Sequence, residues 1–137
     1  MKNPKNVIVS TLAPAVVGPY SQAIQVDQWI YVSGQIGLDP ATGALVPGGV
    51  AEQTGRVIRN LGAVLNAAGI GLESVVKTTV YMTDLGQFNA MNEVYAKHFT
   101  APPPARATVQ VAALPKGALV EIEAVAYKKN DGEGFVI

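Results

Sequence analysis

Between residues 50 and 69 the apolar side chains Ala51, Ile58, Leu61, Leu65 and Ala68, with Val57 and Val64 beside them, recur at helical intervals until Gly69. Strand-like segments precede and follow it in the chain, so this amphipathic helix must find a sheet to cover. Gly55 and Gly62 lie inside this helix, where each costs about 1 kcal/mol against Ala, and close packing on the sheet is the expected reason for them.

The rest of the chain alternates in the same way. Residues 7–9 read as a short strand, and 22–26 followed by 29–33 as a hairpin about Asp27-Gln28. The Gly- and Pro-rich stretch 37–49 is a loop. Residues 73–82 are dense in β-branched side chains and read as a strand. Asp84 is an N-cap for a second helix, 85–99, whose apolar stripe is Leu85, Phe88, Met91, Tyr95 and Phe99, and the run Pro102-Pro103-Pro104 cannot continue it. Residues 106–113 and 119–128 alternate about Leu114-Pro115-Lys116-Gly117, which predicts a final hairpin. The order is β-β-β-α-β-α-β-β in one unit, 1–137, with a tail at 129–137 expected to be mobile. The expected fold is α+β, a mixed sheet with both helices on one face. Its other face is then bare, which in a chain 49% hydrophobic and 15% charged points to association with further copies.

Composition removes several function classes. No cysteine is present, which excludes disulfides, thiol nucleophiles and cysteine-bound metal, and the single histidine, His98, excludes a multi-histidine metal site. Ten Lys plus Arg balance ten Asp plus Glu, so no electrostatic footprint for nucleic acid exists. The longest uncharged run, 6–26, is broken by Pro14, Gly18 and Pro19 and is no membrane span. A cytoplasmic protein is expected, with a mitochondrial or nuclear pool left open. Neither Gly48-Gly49 nor Gly69-Ile70-Gly71 carries a phosphate-binding fingerprint, and no nucleophile elbow accompanies His98, which reads as an exposed helix-end residue.

The last predicted hairpin holds the most informative polar groups. Its alternation puts Val109, Val111, Ile122 and Ala124 toward the helices and Arg106, Thr108, Gln110, Glu121 and Glu123 on the other face. Its register sets Gln110 opposite Glu121 and leaves Arg106 about 13 Å from Glu121, so a cleft using both needs a neighbouring subunit. Two readings stand. In one, Arg106 and Glu123 form a surface ion pair and Glu121 is solvated. In the other, Arg106 is a planar fork for a substrate carboxylate and Glu121 orients or deprotonates a water. Asn92 falls on the apolar side of its helix, where a buried amide either caps a loop or donates into a pocket. Tyr20 and Ser33 sit where strands meet glycine, and Gly34 lets a backbone N–H approach an anion closely.

The motifs Gly18-Pro19-Tyr20-Ser21-Gln22-Ala23, Val32-Ser33-Gly34-Gln35, Pro104-Ala105-Arg106-Ala107 and Glu121-Ile122-Glu123-Ala124 occur in that order. With 89–95 and 111–117 they resemble the Rid family, also called YjgF-like proteins, over residues 7–127. The resemblance is to the branch that keeps the arginine. It implies a chorismate-mutase-like fold, a homotrimer with three clefts between subunits, and hydrolysis of 2-iminobutanoate and 2-iminopropanoate to 2-oxo acids and ammonia without metal or cofactor. It assigns the carboxylate clamp to Arg106 and the water to Glu121. Tyr20, Ser33 and Asn92 match its remaining polar pocket positions, and backbone at Gly34 and Thr108 matches its ligand contacts. This chain departs from the family at Pro103, where a bulky aromatic is usual, and at Thr108, where several relatives have cysteine. The family also includes proteins described as translation inhibitors with ribonuclease activity and as holdase-like chaperones, so a ribonuclease or a non-catalytic binding trimer is the alternative. Salt-sensitive RNA binding would mark the first, and dye binding by the folded trimer would mark a chaperone.

Overall fold

A computed structural model describes residues 3–130. The elements follow the predicted order: β1 (Asn6–Ile8), β2 (Ala23–Val26), β3 (Trp29–Ile36), α1 (Val50–Ala67), β4 (Val75–Met82), α2 (Phe88–His98), β5 (Ala105–Gln110) and β6 (Val120–Tyr127). They form one six-stranded sheet in the order β1-β2-β3-β6-β4-β5. Of the expected mobile tail, residues 131–137 lie outside the described ones. Lys128 and Asn130 are tied to Gln28, through its carbonyl and side-chain amide respectively.

Helix α1 forms as its periodicity demands, with Glu52 accepting from the Gly49 N–H at 2.7 Å to close its first turn. Val57, Ile58, Leu61, Val64 and Leu65 are fully buried against the sheet, and truncating one of the larger ones costs about 2 to 5 kcal/mol. Two glycines do not serve the expected purpose. A methyl at Gly55 would meet Val94 of α2, and one at Gly62 would meet Leu72, each at 3.9 Å, so neither glycine is required by the sheet. Asp84 caps as expected, accepting from Gly86 N–H at 2.8 Å, but the turn it starts is a 3-10 turn, Leu85–Gln87, and α2 begins after it.

The predicted final hairpin does not form. β5 pairs in parallel with β4, while β6 runs antiparallel between β3 and β4. Parallel strands need a crossover, which α2 supplies from β4 to β5, and β3 and β4 leave between them the slot that β6 fills. Val120, Ile122, Ala124 and Ala126 are accordingly at most 3% exposed. β5 is left as the edge, a place that tolerates the preceding prolines.

This topology also corrects the expected faces. Arg106 pairs with Thr78 and lies on the helix side, whereas Val109, 41% exposed, shares the open face with Tyr81 and Glu121. Gln110 does not oppose Glu121; its side chain accepts from the Leu85 N–H. The open face carries Trp29, Tyr31, Val76 and Val109, all exposed apolar side chains.

Candidate active site

A cavity of about 530 Å³ opens beside β3 and the start of β6. A β-bulge builds its floor: Val32 pairs with Ala124 and Gln35 with Ile122, so Ser33 and Gly34 together face the single residue Glu123. The bulge matters because Glu121 folds its carboxylate over Gly34, and a Cβ at that position would overlap it. Only glycine leaves the room. Ser33 donates its hydroxyl to the Ser21 carbonyl at 2.5 Å, fixing the bulge to the chain that enters β2. Tyr20, half-exposed, and the apolar side chains Val16, Val17, Ile36 and Leu38 complete the wall.

Burial first, and the neighbouring Glu123 carboxylate second, push the Glu121 carboxyl above the ordinary carboxylate range. Such a group retains a proton more readily and, once ionised, is a stronger base. Glu123 is occupied otherwise, since it accepts the Tyr81 hydroxyl. That bond, with burial and both glutamates, raises the Tyr81 phenol.

Arg106 lies in a separate recess of about 420 Å³, shared with Asn92, Tyr95 and Pro103. Its guanidinium carbon sits 4.7 Å from the centre of the Tyr95 ring and 5.4 Å from that of Phe88, and its Nη1 donates to Asn92 Oδ1 at 2.8 Å. The cation is thus held against aromatic faces with its plane set by an amide, and one of its five N–H groups is used in doing so. The Tyr95 hydroxyl is in turn bonded to the buried Thr78 hydroxyl at 2.7 Å. Burial is the main influence on the Tyr95 phenol and raises it, against opposing effects of the Thr78 bond and the Arg106 charge, so Tyr95 is neutral here.

The residues singled out by sequence therefore divide in two. Tyr20, Ser33, Gly34 and Glu121 meet at the first cavity, while Arg106 and Asn92 meet at the second recess. Thr108 lines neither; it lies two residues along β5 from Arg106, opposite Val80. The surface pair of Arg106 with Glu123 is replaced by the contacts above. With β4 between β5 and β6 and a three-residue offset in register, the Arg106 and Glu121 Cα atoms are about 14 Å apart by strand spacing, on opposite faces. His98 is half-buried at the end of α2, and burial, Arg59 and Lys97 lower its pKa, so the charge expected at a helix end is opposed.

Sequence reasoning placed Phe88 and Tyr95 in the apolar stripe of the second helix and missed their hold on Arg106, and it read Thr78 only as part of a strand, missing its bond to Tyr95. It also missed two buried amides of α1. Asn60 donates to the Ile36 and Leu38 carbonyls, and Gln53 accepts from the Leu119 N–H, which ties down both chain segments flanking the first cavity. The available signal was a polar side chain repeating at core positions of an apolar helix.

Among the described residues no helix is long and apolar enough to cross a membrane, and no three His, Asp or Glu side chains converge as metal ligands. Known proteins resemble the chain closely. The mouse protein named 2-iminobutanoate/2-iminopropanoate deaminase is 56% identical over 122 residues, covering 89% of this chain and 90% of its own length. The crystal structure of RidA from the Antarctic bacterium Psychrobacter sp. PAMC 21119 superposes with a TM-score of 0.86 at 48% identity, over 89% of this chain and 98% of that one. That of E. coli TdcF with bound serine gives 0.88 at 39% identity, over 91% and all of it (100%) respectively. The family model described as Endoribonuclease L-PSP matches residues 10–128. With the family model matching residues 10–128 and relatives of 53–56% identity over 89% of the chain, this chain belongs to the Endoribonuclease L-PSP family, the family of Rid or YjgF-like proteins.

Proposed function

We propose that the chain is a 2-imino acid deaminase that hydrolyses 2-iminobutanoate and 2-iminopropanoate, working as a homotrimer with its clefts between subunits. The single observation that carries the reading is the half-buried Glu121 carboxylate, raised in pKa and folded over Gly34 in a largely apolar cavity. A name shared with relatives 53–56% identical supports the substrate. Serine bound to TdcF, an amino acid with the three-carbon skeleton of 2-iminopropanoate, supports a site for a 2-substituted carboxylate.

The chemistry asks little of the protein. A protonated imine is already electrophilic, so holding it beside one acid/base group suffices. Arg106, presented by Tyr95, Phe88 and Asn92, takes the carboxylate with two parallel N–H bonds. From the adjoining subunit, Glu121 accepts a proton as water adds to C2, giving a tetrahedral carbinolamine. The same proton then passes to the amino nitrogen, the C–N bond breaks as Glu121 takes the proton of the new hydroxyl group, and the 2-oxo acid leaves with ammonia, which carries that second proton away as ammonium. The Gly34 backbone and the hydroxyls of Tyr20 and Ser33 orient the polar substrate atoms, and Thr108 contributes its backbone on the Arg106 side. The exposed face of Trp29, Tyr31, Val76 and Val109 is the surface that trimer formation covers.

The test is a coupled assay in which threonine dehydratase forms 2-iminobutanoate from threonine and semicarbazide traps what survives. Wild-type protein lowers the trapped imine, and Arg106→Ala and Glu121→Ala do not. Trapping equal to a protein-free control with the wild type refutes the deaminase reading and leaves a binding trimer.

A further inference from the structure

The cavity wall is carried by chain that has no regular structure: residues 9–22, between β1 and β2, form neither helix nor strand. Pro14, Val16, Val17 and Tyr20 all reach the cavity from this segment. Packing does little to hold its outer part, since Val16 is 40%, Val17 80% and Tyr20 51% exposed, and the segment is anchored by the small buried side chains of Ala13 and Pro14.

We propose that Gln22 is a positioning residue for the deaminase reaction, a latch that holds this wall against the cavity floor. Gln22 is 5% exposed. Its Oε1 accepts from the Ser10 N–H at 2.6 Å, and its Nε2 donates to the Ser10 carbonyl at 3.1 Å and the Pro14 carbonyl at 2.9 Å. One head group thus meets both ends of the stretch that leads into Val16 and Val17. The main chain of the same residue reaches the floor, because the Gln22 carbonyl accepts from the Ser33 N–H at 2.9 Å. Wall and bulge are therefore fixed relative to one another through a single side chain that touches no substrate. An amide is the group this geometry needs: two donors and an acceptor on one planar head, at the reach of two methylenes. A carboxylate offers no donor, and a thioether satisfies none of the three partners.

The latch acts on how often the pocket is assembled, not on the chemical step. An apparent dissociation constant rises as the competent fraction falls, so the effect belongs in KM. Gln22→Met, close in volume, is expected to raise KM about tenfold or more while kcat at saturation stays within about threefold. Loss of stability alone would instead remove active molecules, lowering kcat with KM unchanged. Gln22→Glu adds a readout of the bonding itself. Protonated, its carboxyl accepts from Ser10 N–H and donates to one carbonyl; ionised, it faces two carbonyl oxygens. Its KM relative to wild type is therefore expected near unity at about pH 5 and to climb about tenfold by about pH 8, burial having raised the introduced carboxyl into that window. The contributions of Tyr20, Lys116 and Glu121, the titratable groups lining the same cavity, cancel when each value is divided by that of wild type at the same pH.

The proposal rests on the deaminase reading, and the two fail separately. A wild type with no imine hydrolysis refutes that reading. An active wild type with Gln22→Met at unchanged KM, or with a Gln22→Glu ratio flat in pH, refutes the latch alone. If neither variant folds, hydrogen exchange on the wild type decides, with 2-oxobutanoate as the probe. The Ser10 amide must slow together with the Val16 and Val17 amides on binding, and a Ser10 amide indifferent to the ligand overturns the proposal.

Discussion

Mixing two inactive variants tests whether the active cleft lies between subunits. In one chain Arg106 and Glu121 point to opposite faces of the sheet from Cα atoms about 14 Å apart, so no cleft within a protomer uses both. If each site takes Arg106 from one subunit and Glu121 from the next, Arg106→Ala and Glu121→Ala chains must complement each other. Dissociated, mixed in equal amounts and reassociated at random, the two chains give each site a one-half chance of an intact arginine and, independently, a one-half chance of an intact glutamate. The activity regained is then about a quarter of that of wild type taken through the same cycle, because every mixed trimer holds one intact site of three. The semicarbazide-trapping assay reads it directly, with each variant alone as the baseline. Activity staying at that baseline, with exchange of subunits verified by mass, would mean that both residues serve one protomer's site, and the intersubunit geometry would be wrong.

Other consequences follow from individual contacts. Gly34→Ala sets a methyl where the Glu121 carboxylate lies, so kcat/KM in the trapping assay is expected to fall about a hundredfold, the scale of an ångström's misplacement, and an unchanged value would detach Glu121 from catalysis. Gly55→Ala and Gly62→Ala have 3.9 Å of room and should each stabilise by about 0.5 to 1 kcal/mol in urea unfolding; a loss would mean that the helix packs more tightly than described. Arg106→Lys keeps the charge but not the planar fork, and should lose about ten- to hundredfold in kcat/KM. Glu121 binds its proton more tightly folded than unfolded, so its contribution to stability is present below the ordinary carboxylate range and is lost as pH rises through the raised value. Glu121→Gln should therefore melt higher than wild type on the alkaline side of that window and level with it on the acid side; a difference constant with pH would refute the assignment.

The order of elements was legible because periodicity is a local property, and both helices and the strands fell where the apolar spacing put them. The pairing of the last two strands was not. Alternation in 105–110 says that two sets of side chains exist, not which strand lies alongside, and a parallel partner reached through a helix leaves no mark in the turn. From that one error came the reversed face of β5, with Val109 turned inward and Arg106 outward in expectation, the opposite of what the parallel register with β4 dictates. The signal that separates the two strands is strength of alternation: β6 has an apolar residue at each helix-facing position, as a central strand must, while β5 has Arg106 and Thr108 there.

That placement of Arg106 explains why the arginine recess was harder to read than the glutamate cavity. Tyr20, Ser33 and Gly34 stand at or near glycines, where unusual backbone leaves a trace in the sequence, and Glu121 is a charge in a short alternating strand. Phe88 and Tyr95 leave none, because an aromatic stripe that seats a guanidinium has the same spacing as one that fills a core. A charge on the helix side of a sheet would be expensive, were it not for those ring faces, the Asn92 carbonyl and its position on the edge strand. The edge is what makes the arrangement useful as well as tolerable. A cation seated there can be presented past the rim of its own sheet, toward whatever covers β5, and a second copy that brings its Glu121 to that rim joins the two halves no single chain can join.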